Sequence, residues 1–92
     1  MIGTATEAAL RELKSLAREL RVQCDSISMA VDSISVACDE SLSASDEDAV
    51  SDIAYDKMQP ATSKAIETAE SLRLDIRLLD MRLEDVWSSF EH

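Results

Sequence analysis

The chain has little of what breaks a helix or carries chemistry. It holds one glycine (Gly3), one proline (Pro60), three aromatics (Tyr55, Trp87, Phe90) and one histidine, His92. So few turn-formers and β-favouring aromatics argue against a sheet. One glycine cannot build a phosphate-binding loop. One histidine and two cysteines (Cys24, Cys38) with no close Cys-x-x-Cys pair lack the ligand spacing of a zinc site. They also leave a cysteine nucleophile without a base. The acids between positions 46 and 56 lack the glycine and closing glutamate of a calcium loop. No apolar run reaches the length of a membrane span. The sequence therefore predicts no catalytic residues, no metal site, no cofactor, no enzymatic activity and no membrane insertion.

Basic residues are also missing from one long stretch. Residues 22 to 56 hold nine acids and no base, and so carry −9 of the net charge of −10. That field disfavours direct contact with nucleic acid or an anionic membrane. It would suit a protein with a basic surface, or serve solubility alone.

What is present is helical. Ser, Ala, Leu, Asp and Glu are the commonest residues, and 46% apolar content is too high for a disordered acidic tail. Leu13 to Cys38 shows the strongest pattern. Written as heptads, position a is Leu13, Leu20, Ile27 and Ile34, and position d is Leu16, Gln23, Ala30 and Ala37. A second line runs beside it: Ala17, Cys24, Val31, Cys38. Together they form a stripe wider than a two-position seam.

The expected chain order is a single helical domain over 1–92. Thr4 with Glu7 reads as a capping box for a helix over about 5–42. Ser41 to Ser45 supplies a turn at 43–45. Ser45 would cap a helix over 46–58, with Asp46, Glu47 and Asp48 favoured by the dipole of its first turn. Pro60 either kinks that helix or ends it before another over about 61–90. From Thr62 the periodic line is Thr62, Ala65, Ala69, Leu72, Ile76, Leu79, Leu83, Val86, Phe90.

The second line runs small to large and the first large to small, so antiparallel pairing matches size with size. The fold class is all-α: an antiparallel hairpin of long amphipathic helices, or a three-helix bundle if Pro60 breaks the chain. As one continuous rod, the second arm would overhang by about its last ten residues. Two helices cannot bury stripes this wide. The hairpin is therefore expected to self-associate as a dimer or larger bundle. Its expected core is Leu13, Leu16, Leu20, Ile27, Ile34, Leu72, Ile76, Leu79 and Leu83. Cys24 and Cys38 read as buried small hydrophobes. On one helix they stand ~21 Å apart and cannot form a disulfide.

Two stretches could carry binding. Trp87 and Phe90 near the end of the last helix suit a docking hot spot. Asp46, Glu47, Asp48, Asp52 and Asp56 suit a basic partner. The leading expectation is a cytoplasmic, homo-oligomeric interaction protein acting as adaptor, assembly factor or inhibitor. The alternative is an acidic inhibitor, antitoxin-like or phage anti-defence-like, that blocks the nucleic-acid-binding surface of a target. A small-ligand site between subunits would draw on Arg11, Arg18, Arg73 or Arg77.

Overall fold

A computed structural model describes residues 2–90; Met1, Glu91 and His92 lie outside the described residues. Helix α1 spans Thr4–Leu42 and helix α2 spans Glu47–Ile53. A π-helical turn, Ala54–Met58, joins α2 without interruption to helix α3, Gln59–Ser89. No strand occurs among the described residues. The chain is an all-α helical hairpin of two long arms, 69 Å in its longest dimension and 20 × 13 Å across.

The N-caps of α1 and α2 depart from the sequence expectation by one residue each. Gly3 is the N-cap of α1 and makes no side-chain cap. The capping box does not form, because Glu7 turns its carboxylate to Arg11 at 2.6 Å and leaves the cap to backbone bonding from Glu7 N–H to Gly3 O. At α2 the cap is Asp46 rather than Ser45. Its Oδ1 accepts from the Ala49 N–H at 2.8 Å, and a carboxylate adds charge–dipole attraction that a hydroxyl lacks. Glu47 and Asp48 occupy the first turn.

Pro60 neither breaks the arm nor leaves a third helix free to pack. Met58 and Gln59 both keep right-handed helical angles. The relief comes one turn earlier, where the Gln59 N–H reaches back five residues to Ala54 O. That widened turn accommodates a ring that would clash with the carbonyl four residues before it. It also repairs the apolar pattern. Ile53 and Met58 stand five apart, one too many for an α-turn, and the i→i+5 geometry brings both to the half-buried face.

The arms meet along a narrow seam. On α1 the shielded positions are a and d, with Leu16, Leu20, Ala30 and Ala37 buried and Leu13, Ile27 and Ile34 half-buried. Each such leucine contributes roughly 1.5–3 kcal/mol when fully buried. On α3 the a line is Ala65, Leu72, Leu79 and the buried Val86. The d line differs from the expected one. It is Ala61, Thr68, Asp75, Arg82 and Ser89, all half-buried, while Ala69, Ile76, Leu83 and Phe90 are exposed one residue further round.

Three cross-arm contacts set the register: Thr6 with Ser89, Gln23 with Asp75 and Glu40 with Lys57. Ser89 Oγ donates to Val86 O at 2.6 Å, so Thr6 Oγ1 donates to Ser89 Oγ, at 2.7 Å. The end of α3 therefore lies against the start of α1, and the expected ten-residue overhang is absent. The overhang assumed pairing from the turn onward. Instead Glu40–Lys57 is the hydrogen-bonded rung nearest the tip, and the sixteen residues between them close the end of the hairpin.

Candidate interaction surface

The heptad positions divide the hairpin into two sides. In an antiparallel pair, position g of one helix flanks g of the other, and e flanks e. The g side is charged. Glu40 and Lys57 pair across it at 2.5 Å, and Glu12 faces Arg82 at 3.9 Å beside Asp85. Its apolar residues, Val22, Met29 and Val36, stand among Asp25, Ser33, Glu40, Lys57 and Lys64.

The e side carries no charge in its inner rows. On α1 the row is Leu10, Ala17, Cys24, Val31, Cys38; on α3 it is Ala69, Ile76, Leu83, Phe90. Between the rows lies a shallow groove lined by Leu13, Ile76, Leu79, Asp80 and Leu83. Ile76 is 51% exposed, Leu83 43% and Phe90 57%. Trp87 and Ile66 flank this row on α3. Trp87 sets its ring edge-on to Phe90, centroids 5.9 Å apart, and is itself 62% exposed. Cys24 and Cys38 are exposed free thiols rather than buried hydrophobes, because α3 covers only the a and d rows. Ile76 and Leu83, two of the nine expected core leucines and isoleucines, thus lie outside the seam on this open face.

The second candidate stretch sits elsewhere. Asp46, Glu47, Asp48, Asp52 and Asp56 are all exposed at the closed end. No lysine or arginine among the described residues lies within ion-pair distance of any of them. Thirty-one residues of helix separate Asp56 from Trp87, which is about 46 Å. The acidic tip and the aromatic end therefore cannot form one site.

Among the described residues no group of His, Cys, Asp and Glu is placed to hold a metal ion, and no helix is long and apolar enough to cross a membrane. The surface offers a flat apolar face and a charged tip, not an enclosed pocket. No protein-family model matches this chain, and no curated protein and no solved structure matches it either.

The e side was visible in the sequence only as a second apolar line. Periodicity shows that a row avoids water; it does not show which neighbour covers it. The Asp75 and Arg82 row was missed because polar side chains in a seam look like an outer face.

Proposed function

We propose that this hairpin is a non-enzymatic protein–protein interaction module, working in the cytoplasm as a homo-oligomeric adaptor, assembly factor or inhibitor. One observation carries the reading: two uncharged apolar rows run side by side along the e face with nothing over them. The whole-molecule dimensions agree. A compact monomer of this mass exposes about 5,300 Å², whereas the hairpin exposes 7,080 Å². A compact chain of this length has a radius of gyration of about 12 Å, and here it is 20.4 Å. Exposed free thiols on the face suit a reducing compartment.

Light scattering on the full chain in reducing buffer tests it. The wild type is expected at a multiple of 10.1 kDa. The double variant Ile76→Asp/Leu83→Asp should fall to monomer with its helical circular dichroism kept, because both side chains are already partly exposed on the hairpin. A wild-type monomer, or an assembly indifferent to these substitutions, would overturn the reading.

The unpaired carboxylates of the tip favour a second reading, an acidic inhibitor that occupies a basic nucleic-acid-binding surface. Its partner would be released by salt and by neutralising Asp46, Glu47, Asp48 and Asp52 together. Binding that ignores both changes would exclude it.

A further inference from the structure

The geometry points to a second docking site, on the g side of the hairpin. It is a trough that takes the apolar face of an amphipathic helix from another protein, with a row of bases along the flank turned toward α1. The trough lies across the seam from the e face and does not depend on that face being closed.

Two hollows stand end to end between the arms, about 520 and 410 Å³, and share Ser33. Their floor is alanine: Ala30 and Ala61 in the first, Ala37 in the second. The wall on α1 is the c row, Val22, Met29 and Val36, each more than half exposed. Along α1 the lining runs from Val22 to Glu40, about 27 Å, the length of five helical turns.

Spacing decides the form of the occupant. The apolar wall repeats every seven residues, about 10.5 Å along α1. A helix laid alongside presents its own seam at the same interval. An extended strand repeats on one face at about 6.8 Å and would miss the middle of the three contacts.

Charge decides its chemistry. Asp25 and Asp32 line the outer edge of the hollows, and Asp39 continues their row toward the tip. None of the three has a lysine or arginine within ion-pair distance among the described residues. Glu40 is already matched by Lys57 across the second hollow. On the α3 side Lys64 lines the first hollow and makes no ion pair among the described residues. The α1 edge is therefore acidic and the α3 edge is not, so a helix with bases on one flank fits in one direction only. A second copy of this chain suits the trough poorly. Its own basic stretch, Arg11 to Arg21, lies on the e side and back of α1, and seating it here makes a head-to-tail contact that propagates instead of closing.

The test is fluorescence anisotropy of a labelled three-heptad peptide titrated with the full chain at physiological salt. The peptide carries leucine at both seam positions, lysine along one flank and glutamine along the other. It should bind the wild type. Asp25→Asn/Asp32→Asn should weaken binding about fivefold, as two exposed ion pairs allow. Met29→Gln should weaken it about tenfold through lost apolar contact. Asp46→Asn/Asp48→Asn removes the same charge at the tip, more than a Debye length of ~8 Å away, and should change binding less than about twofold. Ile76→Asp/Leu83→Asp, on the opposite side, should bind as the wild type does. The trough is overturned by no binding, by equal binding of a peptide with glutamate in place of lysine, or by equal losses from the tip and trough pairs. Loss of binding in Ile76→Asp/Leu83→Asp would move the peptide to the e face and overturn it too. Light scattering without peptide is read alongside: a mass that falls with Met29→Gln makes a second copy the occupant and overturns the proposal. The mass of the wild type bears only on closure of the e face, so the two readings can fail separately.

Discussion

Gln23 and Asp75 show what a polar residue does inside a thin seam. Gln23 Nε2 donates to Asp75 Oδ2 at 2.5 Å, while Gln23 Oε1 is buried and accepts nothing. A pair of leucines would bury more apolar surface and leave no orphaned oxygen. The pair instead ties one position of α1 to one of α3 at the middle of the seam. Replacing one partner leaves a polar group stranded, which costs about 1–3 kcal/mol, whereas replacing both is neutral or stabilising. Asp75→Leu should therefore lower stability, and Gln23→Leu with Asp75→Leu should restore it to wild type or above. Urea unfolding of the wild type, Gln23→Leu, Asp75→Leu and the double variant as a double-mutant cycle checks this. Additive losses would mean that the two side chains do not act as a pair.

At the scale of elements, the second arm depends on its π-turn. The turn is one residue inserted into a helix, and that residue serves two ends: it realigns Ile53 with Met58, and it makes room for Pro60. Deleting Tyr55, which is exposed, should convert the turn to α-geometry while keeping Ile53 and Met58 on one face. With Pro60 retained, the deletion forces the ring against the Asp56 carbonyl and should cost about 3 kcal/mol. Combined with Pro60→Ala, it should cost far less. Thermal melts followed by circular dichroism measure the coupling, and equal losses in the two backgrounds would separate the turn from the proline. The a row of α1 was legible because large aliphatics repeat there from Leu13 to Ile34. On α3 two rows compete. The more apolar one, Ala69 to Phe90, looked like the seam, yet the polar row from Thr68 to Ser89 faces α1. Hydrophobicity ranks rows by how much water they shed in all contacts the chain makes. It does not separate contacts within the chain from those outside it.

At the scale of the whole molecule, a 92-residue hairpin with so few buried side chains is a weak folding unit alone. If the e face closes on a second copy, folding and association become one equilibrium, and stability must then depend on concentration. For a two-chain unfolding reaction, each tenfold rise in concentration adds about 1.4 kcal/mol. Spread over the unfolding entropy of two such chains, at about 2.1 cal/mol/K per residue, this raises Tm by about 3–4 °C. Scanning calorimetry and circular dichroism over a hundredfold range should therefore move Tm upward by about 7 °C. The Ile76→Asp/Leu83→Asp variant provides the contrast. Its face cannot close, so its melt should be independent of concentration, lower and less steep, since a seam of mixed leucine and alanine layers is all that remains. A concentration-independent melt in the wild type, with the same steepness as the variant, would mean that the seam alone folds the hairpin and that its apolar side is held open for something other than itself.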